Sequence, residues 1–122
     1  MLGYATLGSN NIDKAKTFYD AVLAPLGGQR AFDTDRMQGY ASAAGGAMLA
    51  ICRPYDEQPA RPGNGAMVAL AAPSRAVVDE VYNTALDAGG TCEGKPGLRG
   101  DNFYGAYFRD LDGNKLCVFN MG

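Results

Sequence analysis

The fold of this chain is decided by FYGAYFRDLDGNKLCVFN, Phe103 to Asn120. Two runs rich in aromatic and apolar residues flank Asp110-Leu111-Asp112-Gly113-Asn114. Asp-Gly between such runs is a strong hairpin signal, because a tight primed turn needs positive φ at its centre. The pattern predicts antiparallel strands over Phe103–Arg109 and Asn114–Asn120.

Working outward, the segment before this hairpin repeats the opening of the chain. Tyr4-Ala5-Thr6-Leu7-Gly8 reads as a short buried strand, and Asn10 or Asn11 supplies the carbonyl that caps a helix. Ile12, Ala15, Phe18, Tyr19, Val22, Leu23 and Leu26 then recur at spacings of three and four, one apolar helical face. Pro25 and Gly27-Gly28 end it. In the second half Met67–Ala71 is a strand, Ser74 a cap, and Val77, Val78, Val81, Tyr82, Ala85 and Leu86 a buried face closed by Gly89-Gly90. Tyr4 and Met67, Leu7 and Leu70, Asn11 and Ser74, Tyr19 and Tyr82, Leu23 and Leu86, and Gly27 and Gly90 all stand 63 residues apart. One offset covering strand, cap, helix face and terminator points to a duplicated unit.

Between helix and hairpin each half holds short strands. Arg30–Thr34, Met37–Ser42 and Ala47–Cys52 are expected in the first, Thr91–Gly94 in the second. Pro54–Gly65, with three prolines and two glycines, reads as a linker. The expected organisation is one α+β domain over 1–122. Module 1 spans about 1–56, the linker about 54–65 and module 2 about 66–122, each module being β-α-β-β-β. A unit of about 60 residues is marginal alone, so the halves should need one another.

Composition narrows the function classes. A net charge of −2 with no basic run argues against a nucleic-acid partner. The longest apolar stretch, Ala66–Pro73, is too short to span a bilayer, and the N-terminus lacks the charged region of a signal peptide. Three widely spaced cysteines without a CxxC fit a reduced, cytoplasmic setting better than a disulfide scaffold.

The opening Gly3–Gly8, the helix Ala15–Leu23 and the segment Tyr104–Leu116 together resemble the vicinal oxygen chelate superfamily. That superfamily includes glyoxalase I, extradiol dioxygenases and bleomycin- and fosfomycin-resistance proteins. Leu111 stands where a proline is usual. The resemblance implies two modules forming a cupped mixed sheet around a divalent metal, lyase, isomerase or dioxygenase chemistry or drug sequestration, and a homodimer. It places the metal positions at Tyr4, Ala50, Met67 and Cys117. None is a His or a carboxylate, and the chain has no histidine at all.

A phenol, a methyl, a thioether and one thiol are not the donor set of a Mn, Fe, Ni or Zn site. No metal and no cofactor is therefore expected. Asp110, Asp112 and Asn114 imitate a calcium loop, but Gly falls at the fourth position instead of the sixth and Met121 replaces the closing Glu. Without histidine no Ser-His-Asp constellation exists, and Cys117 reads as a small hydrophobe. No catalytic residue is assigned.

The expected function is binding of a small, partly apolar molecule in the cup between modules, lined by Tyr4, Met48, Met67, Tyr104 and Cys117. Tyrosine supplies an apolar face with a polar tip, and methionine adapts to irregular ligands. Tyr104 and Tyr107 cannot share one face of a regular strand, and the resemblance favours Tyr104. Arg99, in the loop Lys95–Asp101, could hold an anionic group through its fork of donors. The alternative is a lyase, isomerase or dioxygenase-like enzyme with an atypical or metal-independent site. A purely structural or regulatory domain ranks last.

Overall fold

A computed structural model describes every residue from Met1 to Gly122. The first half runs β1 (Tyr4–Gly8), α1 (Ile12–Leu23), a 3-10 turn (Ala24–Leu26), β2 (Gly28–Thr34), β3 (Met37–Ser42) and β4 (Met48–Cys52). The second runs β5 (Val68–Ala71), α2 (Arg75–Asp87), β6 (Thr91–Leu98), β7 (Phe103–Arg109) and β8 (Lys115–Met121). Residues 53–67 hold neither helix nor strand. The two four-stranded sheets have the same plan, β1-β4-β3-β2 and β5-β8-β7-β6. In each, the first pair is parallel and the others antiparallel. This is the α+β duplication that the constant offset implies. No helix is long and apolar enough to cross a membrane.

Local chemistry explains the helix bounds. The Asn11 side chain accepts from the Lys14 N–H at 3.1 Å, and the Ser74 hydroxyl accepts from the Val77 N–H at 3.2 Å. Each satisfies one orphan donor of a first turn. The glycine pairs that follow the helices divide their labour alike. Gly27 (φ 75°) and Gly89 (φ 104°) take the left-handed conformation. Gly28 and Gly90 allow close approach instead. A Cβ on Gly28 would lie 2.8 Å from the Leu23 Cβ, and one on Gly90 2.8 Å from the carbonyl oxygens of both Ala85 and Arg109. The structurally equivalent glycines are thus Gly27 with Gly89. The 3-10 turn containing Pro25 has slipped the register by one from the offset of the caps.

Two strand expectations change. β6 continues to Leu98, past Gly94, with register shifts between Cys92 and Gly94 and between Gly94 and Gly97. Pro96 is tolerated there because β6 is an edge strand and needs no ladder N–H on its open side. The hairpin turn is not a two-residue primed turn. The Gly113 N–H bonds the Asp110 carbonyl at 3.2 Å, and within the turn only Gly113 has positive φ, so a turn over 110–113 is followed by one left-handed residue.

The core lies on the helix side of both sheets. Phe18, Tyr19 and Val22 from α1 and Val78, Val81 and Ala85 from α2 join Leu49 and Ile51 of β4, Ala106 and Phe108 of β7, and Leu116 and Val118 of β8 in one cluster. Each such large apolar side chain contributes about 1.5–3 kcal/mol by leaving water. Both modules feed this one cluster, so neither half has a complete core by itself.

Candidate functional site

Strand alternation sets what each sheet shows on the face away from the helices. Leu49 and Ile51 face the core, so Met48 and Ala50 face away, and in register with them Tyr4 and Thr6 do the same. Gly39 pairs with Ala50, and the Phe32 ring lies over it, where a Gly39 Cβ would meet ring atoms at 2.3 Å. Tyr4 meets Phe32 edge-on at 6.3 Å. This outer face of the first sheet is aromatic and apolar and bears no ionisable acid among Tyr4, Thr6, Phe32, Met48 and Ala50.

On the second sheet Leu116 and Val118 face the core, so Lys115, Cys117 and Phe119 face away, opposite Arg109, Tyr107 and Gly105 of β7. Phe103 and Phe119 stack at 5.2 Å, and Gly105 leaves room for that, since a Cβ there would meet the Phe103 ring at 2.6 Å. Cys117 is 1% exposed. Burial pushes its thiol up, with Tyr107, Arg99 and Lys115 pulling the other way. The net effect keeps the thiol protonated, as for an inert core cysteine.

The expected pocket residues therefore divide. Tyr4 and Met48 lie on the outer face of the first sheet, Met67 and Cys117 on the second. Tyr4 and Met67 are 54% and 45% exposed, and none of the chain's main cavities joins Tyr4 or Met48 with Met67 or Cys117. Tyr104 stands apart from all of them. It pairs with Asn120 on the helix side, donates to the Asp79 carboxylate at 2.7 Å, and lies under the Arg75 guanidinium at 5.3 Å. The Asp79 bond, then burial, raises its phenol above the ordinary range. Tyr107, the residue passed over in favour of Tyr104, is the tyrosine that shares a face with Cys117. Strand parity alone could have found it, since 107 and 117 are a cross-strand pair whose side chains must point the same way.

Arg99 does not reach out from a loop. Its Nη1 donates to the Gly97 and Gly105 carbonyls at 2.8 and 2.9 Å and its Nη2 to the Lys95 carbonyl at 2.7 Å, which folds it over the Tyr107 ring.

The metal positions implied by the resemblance hold the same side chains in space as in sequence: Ala50 is registered with Thr6, and Cys117 with Ala69. No three His, Cys, Asp or Glu side chains converge anywhere in the chain. A phenol, a methyl, a thioether and one buried thiol supply too few donors of the right kind, so these four residues do not fit a divalent cation.

Asp110 is the buried carboxylate of the hairpin turn. Its turn position suggests a solvated carboxylate, yet it is 4% exposed. It accepts from the Tyr19 hydroxyl at 2.6 Å, from the Asp112 and Asn114 N–H groups at 2.9 Å each, and from Asn114 Nδ2 at 2.9 Å. Asn114 Nδ2 also donates to the Gly8 carbonyl at 2.9 Å, and Asp112 accepts from the Asn10 N–H at 2.8 Å. The hairpin turn of module 2 is thus bound to the β1–α1 connection of module 1.

Two tandem β-α-β-β-β modules of this order define a recognisable class of α+β protein. The family model described as "Glyoxalase/Bleomycin resistance protein/Dioxygenase superfamily" matches residues 1–118, and the chain belongs to that superfamily. It is similar to a solved glyoxalase/bleomycin resistance protein from Albidiferax ferrireducens T118, at 36% identity and a TM-score of 0.91, covering 100% of this chain and 99% of that one. A glyoxalase/bleomycin resistance protein/dioxygenase family enzyme from Burkholderia phytofirmans PsJN shares the fold at 15% identity, with a TM-score of 0.79 and 98% of each chain covered. A lactoylglutathione lyase from Agrobacterium tumefaciens does so at 19% identity and a TM-score of 0.71, covering 98% of this chain and 92% of that one. No curated protein sequence matches the chain.

Proposed function

We propose that this protein is a binding member of the superfamily that has lost the metal site and holds a small, partly apolar molecule in a cup. The observation that carries the reading is the chemistry of the four metal positions, Tyr4, Ala50, Met67 and Cys117, set in sheet faces of aromatic and apolar side chains. Such faces suit a ligand body and offer a cation nothing. Because Tyr4 and Met48 share none of the main cavities with Met67 and Cys117 within one chain, the cup is completed by a second copy, module 1 of one lying over module 2 of the other. Three free cysteines accord with a reduced, cytoplasmic setting.

A thermal-shift screen of metabolite and natural-product sets tests this, since a ligand of the native state raises the midpoint by mass action. At least one apolar ligand should stabilise the protein. One tightly held divalent ion per chain in tag-free protein, or turnover of a glyoxalase or dioxygenase substrate stimulated by Mn, Ni, Zn or Fe, would replace this reading with the enzyme reading.

A further inference from the structure

We propose that the ligand of this cup is an acid: a flat apolar body carrying one anionic group, which Arg99 holds beside Tyr107 in a field that Lys115 makes more positive. The inference rests on the binding reading above and specifies the chemical class of its ligand.

Two cations flank one ring. The Arg99 guanidinium carbon lies 5.3 Å from the Tyr107 ring centroid, and Lys115 Nζ 5.6 Å from the same centroid. Neither has a carboxylate partner, for the chain's two ion pairs are Arg30–Asp20 and Arg109–Glu93. Two like charges this close to one phenol repel each other, and an anion bound beside either relieves part of that cost. The opposing outer face of the first sheet, with Tyr4, Thr6, Phe32, Met48 and Ala50, brings no acid to neutralise them. Glu93, the carboxylate on this face, is taken up by Arg109, so a ligand's anionic group is the counter-charge these two cations lack.

Arg99 is also built into its place. Its three carbonyl bonds fix the guanidinium on the sheet, and two glycines clear the space it fills. A Cβ on Gly94 would come within 3.1 Å of Nη2, and one on Gly97 within 3.3 Å of Nη1. Fixing a long side chain this way has an entropic cost of about 1.5–2 kcal/mol, which a freely solvated surface arginine avoids. The bonds made leave Nε–H and the second Nη2–H without a protein partner. The same two nitrogens of Arg30 hold the Asp20 carboxylate side-on, at 2.9 and 2.8 Å. Arg99 thus keeps free donors on the two nitrogens with which this chain already holds a carboxylate, the donor type that carboxylates and phosphates take up. Beside it, the stacked Phe103 and Phe119 rings offer the flat apolar surface for the rest of the molecule.

Calorimetric titration with four probes of matched shape tests this: naphthoate, naphthyl phosphate, naphthylmethanol and naphthylmethylamine. Naphthoate or naphthyl phosphate should bind about tenfold or more tighter than the alcohol at low salt, and the amine weakest. The stronger of the two anions identifies the head group. The advantage should shrink near 1 M salt, where the screening length is about 3 Å. Both Arg99→Gln and Lys115→Gln should cut it while leaving the alcohol unchanged, and Lys115→Gln disturbs none of the carbonyl bonds that fix Arg99. Equal binding of acid and alcohol, or an anion preference that survives both substitutions, would overturn the inference and leave the binding reading standing. Failure of all four probes to bind would overturn both.

Discussion

The Tyr19 phenol of α1 donates a 2.6 Å hydrogen bond to the Asp110 carboxylate in the β7–β8 turn, across 91 residues of chain. Both partners are buried, and Asp110 has three further donors. This contact turns the hairpin into a clamp between modules, and its removal has a calculable cost. Tyr19→Phe should lower unfolding stability by about 1.5–3 kcal/mol, the range for a hydrogen bond to a charged group. Asp110→Ala should cost more, since it strands two turn N–H groups, the Asn114 amide and the Tyr19 hydroxyl together. Urea denaturation of the two variants checks the order, and equal stability to the parent would show that the clamp is energetically idle.

The same phenol makes the protein sensitive to alkali. Burial first, then the Asp110 charge and bond, hold the Tyr19 phenol well above its ordinary range. A folded-state pKa above the unfolded value means that the folded protein keeps a proton which the unfolded chain releases near pH 10. The stabilisation is complete below that pH and declines above it, by up to about 1.4 kcal/mol per pH unit for one group. The slope of unfolding free energy between about pH 10 and 11 should therefore be shallower in Tyr19→Phe by close to one proton.

Gly89 and Gly90 differ in what they need, so their alanine variants should separate. Gly89→Ala meets the left-handed penalty, about 1–2 kcal/mol. Gly90→Ala drives a methyl into two backbone carbonyls that cannot swing aside, and should cost about 1–3 kcal/mol or more. Thermal melts of both variants test this; a Gly90→Ala as stable as the parent would mean that the α2–β6 connection moves freely away from α2 and β7.

Thiol chemistry reports on the second sheet. Cys92 is exposed, whereas Cys52 and Cys117 are buried. A thiol-disulfide reagent should label one cysteine per native chain quickly and the other two only as fast as the protein opens. Rapid labelling of Cys117, located by mass spectrometry, would contradict its inert burial beneath Tyr107.

A cup shared between copies predicts association. The melting midpoint should rise with protein concentration, because a folded state that binds its own copy is stabilised by mass action. A midpoint independent of concentration, with a monomer mass by light scattering, would place the binding face within a single chain.

Sequence alone determined what depends on local pattern and short-range chemistry. The caps Asn11 and Ser74, the apolar helix faces, the glycine pairs and the hairpin all follow from spacing and backbone preference, and their repetition determined the duplicated fold. The absence of histidine was equally legible, because the identity of a side chain does not depend on where it points. Tertiary structure alone decided the rest. Pattern could not show that Asp110 is buried, since its shelter comes from Tyr19 on a distant helix. Nor could it show that Arg99 lies flat over Tyr107, since that depends on the room left by Gly94 and Gly97. The grouping of Tyr107 instead of Tyr104 with Cys117 was implicit in strand parity, but the sheet had to be assembled before one face could be assigned to the core. A site made from separate strands is defined by which faces meet, and no short stretch of chain carries that information.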